Sequence, residues 1–198
     1  VAGDGIAELD GLVAECFQRG IQRALCVVWG GFTALFTGEN ERLVRAMEQF
    51  LEDQDDLPAA HGFLGLAYSS TGRFEEALAS LDRAFEMSPE DAARHNWYET
   101  RGSAYGAAGR YEEARDAVQA GIDLGTNDFN NVRARLYRAL AAYQALLDEP
   151  EAAAEAWQEY LRLGGPPDWA TIALPRSNSS EEGRNRFRDA LRIAGMEN

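Results

Sequence analysis

The sequence lacks lysine altogether and has little histidine, cysteine or proline. All 19 basic residues are arginines, and 33 acidic residues outnumber them, which gives a net charge of −14. An acidic surface repels phosphate groups, so we expect neither nucleic-acid binding nor docking on an anionic membrane. The only histidines, His61 and His95, cannot form a metal-ligand pair at helical spacing. We therefore expect no metal site and no cofactor.

Long apolar runs are also missing. No stretch approaches the ~20 apolar residues that a membrane span requires, and we expect no signal peptide. We expect a cytoplasmic protein without membrane insertion in this chain, with a targeting or membrane segment upstream as the alternative. Cys16 and Cys26 lie among apolar neighbours, which favours buried free thiols over a disulfide.

The residues that are present favour helices. Alanine is abundant, and β-branched residues, which favour strands, are scarce. The 45% hydrophobic and 26% charged content is that of an ordinary folded protein. We expect an all-α fold.

The most specific signal is an internal repeat. Residues 61–89 align without gaps with residues 98–126, and the blocks 72–77 and 109–114 differ only in Phe74 against Tyr111. Gly72 and Gly109 are predicted to end the first helix of each pair, because glycine readily takes the left-handed conformation of a helix stop. Repeats of this length indicate stacked helix pairs that bury a continuous core.

These residues resemble the tetratricopeptide repeat family, whose pattern is Trp-x2-Leu-Gly-x2-Tyr, then Ala-x3-Phe, then Pro. The first copy carries His61, Leu64, Gly65, Tyr68, Ala77, Leu81 and Pro89, and the second carries Tyr98, Gly102, Tyr105, Ala114 and Val118. Arg101 replaces the leucine, so its side chain is expected to snorkel outward or pair with a carboxylate. The resemblance implies an all-α, right-handed solenoid of antiparallel helix pairs with N- and C-terminal capping helices.

We expect one domain over residues 1–198. Its predicted parts are an N-terminal capping helix (1–20), a degenerate repeat (21–57), two clear repeats (58–92 and 93–128), a divergent repeat (129–165), and a crossing segment with a C-terminal helix (166–198). In the divergent repeat, Tyr143 is matched to Tyr68 and the turn is taken as one residue longer. Ser179 and Glu182 indicate a capping box, and Gly195 is predicted to end the last helix.

In this family the first helix of each pair lines a concave groove. Transferred by repeat register, the groove residues are Gly62, Leu66, Ser69, Ser70, Asn96, Glu99, Ser103, Gly106, Tyr137, Ala141 and Gln144. This lining is small, mixed and mildly acidic. The Lys/Asn/Arg clamp with which some members hold a partner's carboxylate is absent, since Gly62, Leu66 and Thr100 stand there. A neutral or basic partner segment is therefore expected.

We expect no enzyme, because the sequence has no phosphate loop, dinucleotide fingerprint or nucleophile elbow. The resemblance implies a non-enzymatic scaffold that binds a protein or peptide. The alternative is a structural homo-oligomerisation module, such as a homodimer, whose groove is filled by its own terminus or a second copy. The arginine-rich C-terminal helix is interpreted as a solvated cap, with a detachable groove occupant as the alternative. Its Arg186, Phe187 and Ala190 are similar to the ends of repeat modules in bacterial cyclase-type and winged-helix regulators, which implies a bacterial regulatory role.

Overall fold

The computed structural model describes residues 40–53, 55–91, 94–125, 132–167 and 180–196. Within these ranges the chain forms eight α-helices and no strands, which confirms the all-α prediction. The helices are α1 (Asn40–Asp53), α2 (Pro58–Ser70), α3 (Phe74–Met87), α4 (Arg94–Ala107), α5 (Tyr111–Asp123), α6 (Val132–Leu146), α7 (Pro150–Arg162) and α8 (Glu181–Ala194). None of these helices is long and apolar enough to cross a membrane. The predicted helix 1–20, the first helix of the degenerate repeat and nearly all of the crossing segment lie outside the described residues.

Three helix pairs form the body of the solenoid: α2 packs on α3, α4 on α5, and α6 on α7. Each pair needs a small residue where its helices touch. A Cβ atom on Gly65 would lie 2.8 Å from Leu81 Cγ, and one on Gly102 would lie 2.5 Å from Val118 Cγ2. In the third pair this position is Ala141, which is completely buried. These contacts exclude larger side chains and hold the pairs at close packing distance.

The three turns inside the pairs have the same backbone geometry. Gly72 and Gly109 adopt φ angles of 82° and 78°, as predicted, and Asp148 takes the equivalent place with a φ of 62°. In each turn the residue that follows the positive-φ residue donates its backbone N–H to a carbonyl oxygen of the first helix at 2.9 Å. The acceptors are Tyr68, Tyr105 and Gln144 respectively. The turns 71–73, 108–110 and 147–149 are equally long, so the prediction of a longer third turn is wrong.

The equal turns fix the register of the third pair. Gln144, and not Tyr143, is equivalent to Tyr68 and Tyr105. Ala153 and Trp157 keep their predicted match to Ala77 and Leu81, and both are buried. The first helix of the third pair is therefore displaced by one residue from its predicted alignment.

Arg101 confirms the prediction made for its side chain. It forms an ion pair with Asp82 of the preceding pair. Its guanidinium also lies 4.5 Å above the ring centre of Phe85, which itself contacts the buried Trp97 edge to face at 5.4 Å. The arginine thus covers an aromatic contact between neighbouring pairs while keeping its charge paired.

Ion pairs join successive repeats at the turns. Arg73 reaches Glu48 of α1 at 3.4 Å, and Arg110 reaches Glu75 of α3 at 3.5 Å. Both guanidiniums also stack on a tyrosine of their own repeat. At the third turn the polarity is reversed, since Glu149 is the acceptor and Arg115 of α5 is the donor at 2.9 Å. We call these three contacts the junction ion pairs.

The C-terminal helix α8 packs on α6 and α7. Its N-cap is Ser180, whose hydroxyl oxygen accepts the Gly183 N–H at 3.0 Å, so the predicted cap at Ser179 is wrong by one residue. Ser179 itself lies outside the described residues. Gly195 ends the helix in the left-handed conformation, as predicted. Phe187 and Leu191 are buried, which fixes α8 against the third pair as a cap in this structure.

Candidate functional site

The first helices α2, α4 and α6 stack side by side, because α4 packs against both of the others. Their equivalent positions form one surface, which we call the groove face. The structure brings the predicted residues of α2 and α4 onto this face in one register: Gly62, Leu66, Ser69, Ser70, Asn96, Glu99, Ser103 and Gly106.

The predicted residues of the third pair do not share this register. Tyr137 is equivalent to His61 and Tyr98, and Gln144 is equivalent to Tyr68 and Tyr105. Ala141 takes the place of Gly65 and Gly102, which face the second helix of their own pair. The groove-face positions of α6 are instead Arg135, Arg138, Ala142 and Ala145. Counting back from Pro150 and Ala153, which start the second helix of this pair, could have shown the correct register of α6 from the sequence.

The one-residue correction brings a charged cluster onto the groove face. Arg135 donates to both carboxylate oxygens of Glu99, Nε to Oε1 at 2.8 Å and Nη2 to Oε2 at 2.8 Å, and also to Asn96 Oδ1 at 3.1 Å. The Glu99 side chain is only 16% exposed and that of Arg135 30%. Two-pronged, partly desolvated pairing of this kind is geometrically specific. The cluster therefore fixes α6 against α4.

Arg138 lies on the same helix and is almost fully buried. Burial lowers the pKa of its guanidinium, and the nearby Glu99 carboxylate opposes that effect. The sequence interpretation missed both Arg135 and Arg138, because the incorrect register placed Tyr137 on this face. The third pair therefore contributes one paired and one buried arginine that the prediction did not include.

Much of the groove face is closed by packing. The Trp97 ring occupies the space beside Gly62, and the Tyr143 ring fills the space beside Gly106, where a Cβ would lie 2.5 Å from Tyr143 Cε1. Ser103 is a hydrogen-bond partner of Tyr143, whose burial raises the pKa of its hydroxyl. Glycine and serine at these positions thus receive aromatic rings from the next first helix.

A cavity of about 350 Å³ lies where the first helices end. Helix ends and α8 line this half-open cavity, and Tyr143 and Phe187 are among its lining residues. At its rim Arg186 donates to the Tyr111 hydroxyl at 3.0 Å and to Glu182 at 2.7 Å. The predicted groove residues Ser70 and Gly106 also line it, so the cavity is continuous with the groove face. We call it the end pocket.

Both histidines lie against backbone carbonyls. Nε2 of His61 is 3.0 Å from the Asp55 oxygen, and Nε2 of His95 is 2.7 Å from the Gly125 oxygen. Within the described ranges no three His, Cys, Asp or Glu side chains are grouped so that they could hold a metal ion.

Comparison with known proteins agrees with this architecture. The family model "Tetratricopeptide repeat" matches residues 58–91. No curated protein matches the chain. Among solved structures, PilF of Pseudomonas aeruginosa is 18% identical with a TM-score of 0.61, covering 87% of this chain and 76% of PilF. MamA of Desulfovibrio magneticus RS-1 is 18% identical with a TM-score of 0.59, covering 83% of this chain and 97% of that chain.

A second MamA structure is 21% identical with a TM-score of 0.56, covering 83% of this chain and 91% of that one. At such identities the likeness concerns the fold, an all-α helical solenoid. Residues 58–91 thus match a tetratricopeptide repeat, and they lie within an all-α helical solenoid whose three helix pairs have equivalent turns.

Proposed function

We propose that this protein is a non-enzymatic scaffold that binds a segment of another protein along the groove face. The observation that supports this most directly is the side-by-side stacking of α2, α4 and α6 with equivalent small or polar residues on one surface. Leu66, Asn96 and Glu99 remain partly exposed there. An extended or helical segment can lie along such a surface and contact all three pairs.

The charge of the protein supports a neutral or basic segment. A net charge of −14 attracts cationic segments and disfavours nucleic acid. The corrected register places Arg135 over the third pair, where Glu99 already engages it, while Arg138 is almost fully buried. We therefore expect basic residues of the partner to lie over the first two pairs and uncharged residues over the third.

The biological setting forms part of the same proposal. The similarity of the C-terminal helix to repeat modules of bacterial regulators supports a cytoplasmic role in such a system. The repeat array would then recruit the partner on which a regulatory domain acts.

A peptide-binding experiment tests the groove face. Fluorescence anisotropy would compare neutral, basic and acidic peptide sets on the wild type and on Leu66→Arg. Because Leu66 is half-buried in the middle of the face, the added guanidinium should lower the affinity for neutral and basic peptides by about tenfold or more. Gln119→Arg, on the exposed side of α5, is the matched control and should bind like the wild type. Preference for acidic peptides, or equal binding by both variants, would contradict the proposal.

Self-association is the alternative, and one observation favours it. Ile193 on α8 is 60% exposed, which is unusual for a large apolar side chain in the described part of the protein. Sedimentation velocity would decide between the two functions. The scaffold proposal expects a monomer at all concentrations, whereas a dimer abolished by Ile193→Glu would favour homo-oligomerisation.

A further inference from the structure

We propose that the end pocket is an anchor site for one aromatic side chain of the partner segment bound on the groove face. This inference rests on the proposed function and specifies which partner residue supplies most of the affinity. It depends on the shape of the end pocket, on its aromatic lining and on its continuity with the groove face.

The volume and lining of the end pocket suit a ring. About 350 Å³ lies within the range of sites that enclose small ligands and side-chain groups. Four aromatic residues line it: Phe74, Tyr111, Tyr143 and Phe187. Tyr143 and Phe187 meet edge to face, with ring centres 6.2 Å apart and an interplanar angle of 78°. Phe74 and Tyr111 are only partly buried, so their rings can make such contacts with a further ring.

The end pocket stays open because the side chains and the helix around it are held in place by other contacts. Tyr143 is held against Gly106 and hydrogen-bonded to Ser103, so its ring cannot swing into the pocket. On the other side, α8 is anchored by the buried Phe187 and by the hydrogen bond from Arg186 to the Tyr111 hydroxyl. The walls are therefore fixed before a ligand arrives, which reduces the entropic cost of binding.

The position of the end pocket links it to the groove face. Ser70 of α2 and Gly106 of α4 belong to both, so a segment lying along the face reaches the opening at the ends of these helices. The rim carries polar groups of α8, the Arg186 guanidinium and the Glu182 carboxylate, which can orient the backbone of the segment. Large aromatic side chains that fill pockets commonly dominate the affinity of protein interfaces.

A capped amino acid is the probe for this site. N-acetyl-fluorotryptophanamide would be titrated into the protein and followed by fluorine NMR, with N-acetyl-leucinamide as a competitor. We expect saturable binding with a Kd on the order of 1 mM, because only one side chain is engaged. Ala107→Trp places a ring inside the end pocket and should weaken the probe by about tenfold. Ala108→Trp, one residue further and exposed, is the matched control and should leave binding unchanged.

The outcomes separate this inference from the proposed function. Circular dichroism would check each variant, and Leu146→Trp fills the same pocket from α6 if Ala107→Trp does not fold. Equal probe binding by Ala107→Trp and Ala108→Trp, or full displacement by equimolar leucinamide, would overturn the inference. If Leu66→Arg abolishes peptide binding while both pocket variants retain it, the groove face stands and the anchor site falls. If the probe binds as expected but Leu66→Arg leaves peptide binding unchanged, the proposed function falls instead.

Discussion

Replacing Glu99 by glutamine should destabilise the contact between the second and third pairs much more than the same change at an exposed ion pair. The Glu99 carboxylate accepts two hydrogen bonds from Arg135 and is largely shielded from water. It also opposes the effect of burial on the pKa of Arg138. Glutamine keeps the shape but has one acceptor oxygen and no charge, so both guanidiniums lose part of their electrostatic support.

The size of the effect follows from the exposure of the two partners. Breaking a fully buried ion pair from one side costs about 3–5 kcal/mol, and an exposed pair contributes at most about 1 kcal/mol. Arg135 is 30% exposed, so solvent screening places the expected loss between these limits, at about 2 kcal/mol. For a protein of this length that corresponds to a fall in Tm of about 4–8 °C.

Urea denaturation followed by circular dichroism measures this loss. Glu113→Gln is the control, because its pair with Arg110 is exposed to solvent and should contribute little to stability. In the double variant Glu99→Gln/Arg135→Gln the two losses should not add, since both substitutions remove one interaction. Similar losses for Glu99→Gln and Glu113→Gln would refute the assignment of Glu99 as the shielded support of this junction.

Two further predictions concern the turns and an alkaline titration. Gly109→Ala should cost about 1 kcal/mol in urea denaturation, because φ is +78° and no neighbouring atom lies within 4 Å, so the loss is backbone strain alone. Asp148→Gly should change stability by less than about 0.5 kcal/mol, since strain relief offsets the greater freedom of the unfolded chain; an equal loss in both would contradict the equivalence of the turns. Burial, assisted by the hydrogen bond to Glu48, raises the pKa of Tyr68 to about 12. Its stabilising contribution is therefore complete below pH ~10 and is lost as the pH rises through ~12, so Tyr68→Phe should flatten the fall in Tm over that window, and an unchanged slope would contradict the assigned pKa.

The sequence predicted the first two pairs well because their constraints act on single side chains. A turn position with left-handed backbone favours glycine, and a close contact between helices requires a small residue. The roles of Gly72, Gly109 and Gly65 can therefore be recognised from the sequence. The ion pair of Arg101 could be anticipated for a similar reason. A guanidinium at a packing position requires a carboxylate or an aromatic face nearby.

The third pair was misaligned because its turn uses a different residue type. Asp148 supplies the positive φ without a glycine, and the nearby Tyr143 imitates the tyrosine of the earlier copies. Tyr143 instead extends to Gly106 of the neighbouring first helix. A match by side-chain identity therefore competed with a match by backbone geometry, and the hydrogen-bonded turn decided the register.

The end pocket could not be predicted from the sequence. Its rim contact joins Arg186 to Tyr111, which are 75 residues apart in sequence, and it depends on how α8 packs against the third pair. No local pattern encodes that distance. Ser70 and Gly106, which line the end pocket, were predicted as groove residues only because of their position in the repeat.

The reversed polarity of the third junction ion pair means that the repeats cannot exchange places. If the second pair were deleted, Leu78 would stand where Arg115 supplies the donor at present. Glu149 would then have no guanidinium partner at the new junction. Since exposed ion pairs contribute little to stability, their main effect is to exclude wrong neighbours. The charges at the turns therefore contribute to the order of the pairs in the array.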